Sequence, residues 1–174
     1  MQGKETYMYD ELTEVDIQKM KEEMEHRIRV LRPQLIEEVQ TARAFGDLSE
    51  NFEYKCAKQA KNKNDSRIRY LDRMIRTAKV IHVDSKEDTV GLFDKICVYN
   101  EMLKKEMELR IVTTIRQDAL KGIISKESPV GRALLGHKAG ERVLVRVSPE
   151  LQYYLEIRSI EKGRDDASLA ISAY

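Results

Sequence analysis

The side chains best placed for chemistry lie in "ARAFGDLSENFEYK", residues 42–55, where Asp47 and Glu50 stand three positions apart beside Gly46. Two exposed carboxylates are part of what a divalent cation with oxygen ligands takes from a protein. The same pair also reads as helix punctuation, with Asp47 as N-cap and Glu50 at the third helical position of a capping box. Capping is the commoner role for such a pair, since the first turn of any helix favours acidic groups. The two roles are compatible. Ser49 sits in the same turn with no histidine near it in sequence, so it is expected to cap or shape the turn and not to act as a nucleophile. Downstream, "YKCAKQAKNK" places Lys55, Lys58, Lys61 and Lys63 with no intervening acid. A run of this kind is either a solvated helix face or a phosphate-contacting one. The histidines, His26, His82 and His137, are far apart, and neither they nor Cys56 and Cys97 stand at metal-ligand spacing. No disulfide is expected.

The elements that position these residues follow from hydrophobic spacing. Between about residues 13 and 80 there is one proline and one glycine, dense charge, and apolar residues at helical intervals. Ile17, Met20, Met24, Ile28, Leu31, Leu35, Val39 and Ala42 form one seam, and Ala57, Ala60, Asn64, Ile68, Leu71, Ile75 and Ala78 form a second. Narrow seams of this type describe two helices burying a stripe against each other. Folding at 46–49 makes an antiparallel hairpin with Val39 near Ala57, Ile28 near Ile68 and Met20 near Ile75. Arms of roughly 28 residues at ~1.5 Å per residue give a length on the order of 40 Å. Pro33 is expected to bend the first arm or to start a new helical segment.

After the polar link "DSKEDT" the period changes to that of strands, in "DKICVYN", "ELRIVTTI", "RVLVRV" and "YYLEIRSI". Between them, "SPVGRALLGHKAG" has Ser128 as N-cap, Pro129 at the first helical position and Gly136 as a stop, the pattern of a short helix. The expected fold class is α+β, with an antiparallel α-helical coiled-coil hairpin in residues 1–83 and a small, mainly β domain in 84–174. The last residues, "GRDDASLAISAY", are expected to form a loose tail. Lys+Arg (31) and Asp+Glu (30) nearly cancel across 174 residues, so any contact with nucleic acid must be local. No apolar run approaches the ~18 residues of a membrane span, and the start lacks the pattern of a signal peptide. A cytoplasmic protein with no membrane partner is expected.

"LRPQL" (31–35), "GDLSENFEY" (46–54) and "SPVGRALLGHKAGERV" (128–143) stand in the order found in the GreA/GreB family of bacterial transcription elongation factors, also called transcript cleavage factors. The chain resembles that family from about Thr13 to Glu161. The resemblance implies an N-terminal coiled coil that enters the secondary channel of RNA polymerase and an FKBP-like C-terminal domain that docks at the channel mouth. It implies that Asp47 and Glu50, by motif position, are the two functional acids, with Gly46, Leu48, Asn51 and Tyr54 around them. The implied activity belongs to the polymerase, whose cleavage of backtracked RNA the factor stimulates, so the chain is not expected to be an enzyme itself. A second Mg²⁺ would be held jointly by Asp47, Glu50 and the polymerase, with no tight metal in the isolated protein. Expected partners are the polymerase and the nascent RNA 3′ end, with Tyr54, Lys55, Lys58, Lys61 and Lys63 as RNA-contacting candidates, and the factor is expected to be a monomer. The chain departs from the family at Phe45, where many relatives are polar, at Phe52, where a small residue is common, and beyond Glu161. The later domain has no Trp and only one Phe, Phe93, so it is read as a docking module and not as a prolyl isomerase. Two other readings are a secondary-channel inhibitor of the same fold and a coiled-coil adaptor with no active-site role.

Overall fold

The structure, a computed structural model, describes residues 10–45, 51–83 and 86–172. It contains two compact units, one comprising Ile17–Ala78 and the other Asp10–Asp16 with Lys79–Ala173.

The first unit is the helical hairpin. Its first arm runs through α1 (Glu14–His26), a π-helical turn (Arg27–Leu31) and α2 (Arg32–Ala44), and its second arm is α3 (Phe52–Thr77). Pro33 stands in the first turn of a new helical segment, α2, as one of the two expected outcomes has it, and the arm continues through that point. His26, Leu31 and Arg32 all keep right-handed helical dihedrals, and the Arg32 N–H donates to Arg27 O, five residues back. A π turn is a common way for a helix to absorb a local irregularity, and here it ends immediately ahead of the residue that lacks an N–H.

The extra residue in that turn changes which side chains face α3. Ile28, expected in the seam, is 41% exposed. Arg27 takes its place, donating from Nη1 to Asn64 Oδ1 at 3.0 Å, while Asn64 Nδ2 donates to Arg27 O at 3.4 Å. One turn away, Arg67 binds Glu23 with two parallel bonds of 2.9 Å, and Arg27 Nε donates to the same carboxylate at 2.7 Å. Burial pushes the Glu23 carboxyl up, but the hydrogen bonds from Arg67 and Arg27 outweigh it and hold the group below its usual range. The buried positions of α3 are therefore Asn64, Arg67, Leu71 and Met74, a mixed polar and apolar seam. Ala57, Ile68, Ile75 and Ala78 border it half-buried as expected, whereas Ala60 is exposed.

The second unit is built on a five-stranded mixed sheet in the order β5-β4-β3-β7-β6. The strands are β3 (Lys95–Asn100), β4 (Lys105–Val112), β5 (Ile123–Ser125), β6 (Arg142–Arg146) and β7 (Gln152–Glu161). β3 pairs antiparallel with β4 and β7, β6 antiparallel with β7, and β5 parallel with β4. All four strands read from alternation are present. Their inward residues, including Ile96, Val98, Leu109, Ile111, Val143, Val145, Leu155 and Ile157, form one core under Leu134 of α4 (Pro129–Leu134). α4 begins as its sequence implies: Ser128 Oγ accepts the Gly131 N–H at 3.0 Å, and Gly136 takes a φ of +80° just past the helix end. Gly131 admits no side chain, because a Cβ there would stand 2.3 Å from Ser125 O.

Two two-residue strands, β1 (Glu11–Leu12) and β2 (Lys79–Val80), pair in parallel within this unit. Glu11 bridges them by ion-pairing with Lys79 at 2.9 Å and with Lys126.

The final segment is not loose. Arg116, fully buried with its ring-facing guanidinium 5.0 Å from the Phe93 centroid, donates to Asp165 Oδ1 at 2.7 Å and to Asp166 O at 2.9 Å. Further on, the Ser172 N–H donates to Ile115 O at 2.7 Å. The same Arg116 pairs with buried Asp16 and reaches Thr13 Oγ1 at 3.4 Å, so one guanidinium ties together both ends of the unit's sequence. No helix among the described residues is long and apolar enough to cross a membrane.

Candidate functional site

The end of the hairpin is organised by Asn51. Its Oδ1 accepts the Tyr54 N–H at 2.9 Å, which makes Asn51 the N-cap of α3. Its Nδ2 donates to Ala42 O, in the last turn of α2, at 2.7 Å. One amide thus satisfies a free donor of one helix and a free acceptor of the other, closing the two arms together. This corrects the expectation that Asp47 caps the second helix: α3 starts at Phe52, four residues later than a cap at 47 requires, because Asn51 serves both helices at once. Asp47 and Glu50 themselves, with Gly46, Leu48 and Ser49, lie outside the described residues. Among the described residues, no group of three or more His, Cys, Asp or Glu side chains could hold a metal ion.

The lysines beyond the tip separate into two kinds. Lys55, Lys58 and Lys63 are exposed on α3. Lys61 borders the seam, half-buried, and pairs with Asp65 at 2.9 Å, a carboxylate that also meets Arg32 at 3.2 Å. Tyr54 is half-buried with the Lys58 ammonium 5.8 Å from its ring centroid. The other flank of the hairpin end differs in charge. A groove of about 560 Å³ is lined by Gln34, Glu37, Glu38 and Glu53, with Phe45 at its end.

In the sheet unit, a groove of about 510 Å³ is lined by Met107, Leu109, Leu120, Ile124, Val130 and Tyr153. Leu120 is fully exposed, and burial pushes the Tyr153 phenol up from its ordinary range. Sequence reasoning found neither this groove nor the Arg116 cluster. The only available signal was an apolar residue, Leu120, in a polar turn, since Arg116 reads as a surface residue until its partners, 100 and 49 positions away, are placed beside it.

The described parts are thus a long helical hairpin whose arms are tied together by Asn51 and a small mixed-sheet unit. The family model for the N-terminal domain of GreA/GreB transcription elongation factors matches residues 11–80, and the model for their C-terminal domain matches residues 85–162. Among curated relatives, the transcription elongation factor GreA of Mesoplasma florum is 38% identical over 150 residues, covering 86% of this chain and 96% of its own length. That of Thermoanaerobacter pseudethanolicus is 42% identical over 137 residues, covering 78% and 87%. Among solved structures, the GreA factor homolog 1 (Gfh1) of Thermus thermophilus aligns with a TM-score of 0.41 at 20% identity, covering 88% of this chain and 99% of that one. The chain belongs to the GreA/GreB family of transcription elongation factors.

Proposed function

We propose that this protein inserts its hairpin into the secondary channel of RNA polymerase and stimulates the polymerase's own hydrolysis of backtracked nascent RNA. The observation that carries the reading is the family membership together with the acids Asp47 and Glu50 in the segment that joins α2 to α3. The chain supplies positioning and charge, and the polymerase supplies the catalytic centre. Asn51 fixes the spacing of the two arms, so that a polar end is delivered on a stiff support. Two carboxylates are fewer ligands than Mg²⁺ takes, so Asp47 and Glu50 would hold such an ion only jointly with the polymerase, and when bound it would supply Lewis-acid charge for hydrolysis of the phosphodiester. One of the two acids orients or accepts a proton from the attacking water. The sheet unit docks outside the channel, and its apolar groove around Leu120 and Tyr153 is the surface best suited to that contact.

The test adds purified protein to a stalled, backtracked elongation complex and resolves the RNA on a gel. Asp47→Asn and Glu50→Gln keep the local hydrogen-bonding options and remove charge. Each should leave polymerase binding nearly intact, abolish most stimulated cleavage, and regain part of it at raised Mg²⁺. Full activity in both variants would reject the role given to the acids. Cleavage of RNA by the factor without polymerase would reject the division of labour.

A further inference from the structure

The C-terminal family model ends at residue 162, and the segment that follows is laid against the sheet unit. Gly163 pins its start. The Gly163 N–H donates to Asp94 Oδ1 at 2.9 Å, and a Cβ there would stand 1.8 Å from Phe93 O, an approach that only glycine allows. Beyond it, four bonds land on three consecutive residues, in and just after a 3-10 turn (Thr114–Arg116). Arg116 donates to Asp165 Oδ1 and to Asp166 O, the Ser172 N–H donates to Ile115 O, and Ser172 Oγ donates to Gln117 O at 2.7 Å. Between these points Asp166 Oδ1 accepts the Ser168 N–H at 2.8 Å, and half-buried Leu169 lines a small cleft with Leu109 and Ile123. Residues 163–172 thus form a strap across the turn that carries Arg116.

What the strap covers is an ion pair that belongs to the start of α1. Thr13 and Asp16 form a reciprocal cap, the Asp16 N–H donating to Thr13 Oγ1 at 3.2 Å and the Thr13 N–H to Asp16 Oδ2 at 3.0 Å. Arg116 binds both members of that cap, Asp16 through Nε and Thr13 through Nη2. The side chains of Arg116 and Asp16 are inaccessible to solvent, whereas that of Asp165, on the strap, is 15% exposed. Separating Asp16 from Arg116 beneath a closed strap would leave two charges with no access to water, the costly way to break an ion pair. With the strap lifted, water reaches both, and the first turn of α1 opens at lower cost. We infer that residues 163–172 are a strap that fixes the first turn of α1 by keeping the Arg116–Asp16 pair dry. It is a two-state device: closed, the helix start is held; lifted, the helix start frays. The hairpin's first arm begins with that turn, so its first residues are controlled by a segment from far along the sequence. The coupling is reciprocal, and whatever holds Thr13 and Asp16 in place also holds the strap down. The inference goes beyond the proposed function and needs neither polymerase nor RNA.

The experiment follows amide hydrogen exchange by NMR in the full-length protein, at Thr13, Asp16 and Ser172 and through β3 and β4. Asp165→Lys sets a like charge against Arg116 and should lift the strap. Exchange at Ser172, Thr13 and Asp16 should then rise together, by about tenfold or more, the range for losing one hydrogen bond to a charged group. The β3 and β4 amides should exchange as in wild type. Asp165→Asn keeps an acceptor for Arg116 and should stay closer to wild type at all three positions. Ala173→Pro, which replaces a residue that none of these bonds uses, should leave all three unchanged. Ser172→Ala removes only the Oγ bond to Gln117 O, touches neither Arg116 nor α1, and should still quicken exchange at Thr13 and Asp16, by a smaller factor than Asp165→Lys. Rapid exchange at Ser172 with Thr13 and Asp16 as protected as in wild type would overturn the inference, since the strap would then lift without loosening the helix start. So would a Ser172 amide that stays protected in Asp165→Lys, because the Asp165 bond would not be what holds the strap. An equal rise through β3 and β4 would overturn it as well, since the whole unit would then be opening at once.

Discussion

Replacing Arg116 with methionine tests a fully buried charge that serves several partners. The guanidinium is inaccessible to solvent and serves Asp16, Asp165, the Asp166 carbonyl and Thr13. Methionine fills much of the same volume against the Phe93 ring, so the loss is electrostatic and not a cavity. Its consequences differ among the partners. Asp165 keeps some access to water and can be rehydrated. Asp16 is fully buried, and its remaining hydrogen bond is the one accepted at Oδ2 from the Thr13 N–H at 3.0 Å. An ion pair broken on one side in such a place costs about 3–5 kcal/mol, because the other charge stays buried without compensation. For a urea m-value of ~1.5 kcal/mol/M, that is a fall in midpoint of about 2–3 M, read from tyrosine fluorescence of the full-length protein. Adding Asp16→Asn to Arg116→Met should recover most of the loss, since the amide oxygen can still accept from Thr13 and no charge remains. Ending the chain at Arg164 removes the Asp165 and Asp166 contacts together with the bonds from the Ser172 N–H to Ile115 O and from Ser172 Oγ to Gln117 O, and should cost about 2–4 kcal/mol, in line with four hydrogen bonds near solvent. A change below about 1 kcal/mol for Arg116→Met, or no rescue by Asp16→Asn, would refute the account.

Three further outcomes follow from the geometry. Asn51→Ala removes a cap and the bond to Ala42 O, so it should destabilise the hairpin end by about 1–2 kcal/mol and speed hydrogen exchange at the Tyr54 amide, whereas Asn51→Asp should restore the cap but not the bridge. Hydrogen bonds from Lys126 and Lys79 hold the Glu11 carboxyl down to about 2 from its ordinary 4.5; because the folded value is depressed, the stabilisation is complete above pH 4.5 and lost as the pH falls toward 2. Glu11→Gln should therefore flatten the acid limb of a stability-against-pH curve in that window and leave the alkaline limb unchanged. Gly163→Ala would place a Cβ 1.8 Å from Phe93 O, where Arg110 Nε already donates at 3.1 Å, and should lower the melting temperature measurably, while Gly140→Ala, with open space around it, should cost only the strain of its positive φ.

What could be read from the sequence divides by length and by charge. β3, β4, β6 and β7 are five to ten residues long and alternate, so period 2 reveals them. β1, β2 and β5 are two or three residues long, too short to carry any period, and exist because their partners are brought alongside. The hairpin was legible from its apolar repeat, but Glu23 and Arg67 carry the signature of surface residues and are recognisable as a seam pair only once the arms are set opposite each other. At the candidate site, the acidic character of Asp47 and Glu50 is a property of the sequence. The true cap was obscured by choice, because Asp47 and Asn51 are both good N-caps and only the reach of Asn51 to Ala42 O distinguishes them. Lys61 was grouped with its neighbours for want of an intervening acid, although its partner, Asp65, lies one helical turn beyond the run.

The polar layer also answers a question that the apolar repeat leaves open. Seam residues recur every three or four positions on both arms, so sliding α3 by one turn still sets apolar side chains against apolar side chains. It does not preserve the charges. A slip of four residues in one direction puts Leu71 where Arg67 stands and Ile68 where Asn64 stands, leaving Glu23 half-buried without its bidentate partner and the Arg27 guanidinium without its amide. A slip in the other direction offers Glu23 the single point charge of Lys63 and sets Ala60 against Arg27. Either alternative forfeits the forked pair at Glu23, which at 2.9 Å in both bonds has the geometry that only arginine provides. The register so chosen is the one in which Asn51 reaches Ala42 O. A layer in the middle of the hairpin thus fixes which residues meet at its end, and the length of arm behind Asp47 and Glu50 is determined by a salt bridge some sixteen residues away from Asn51 along α3, in the manner of the buried polar positions that set register in other coiled coils.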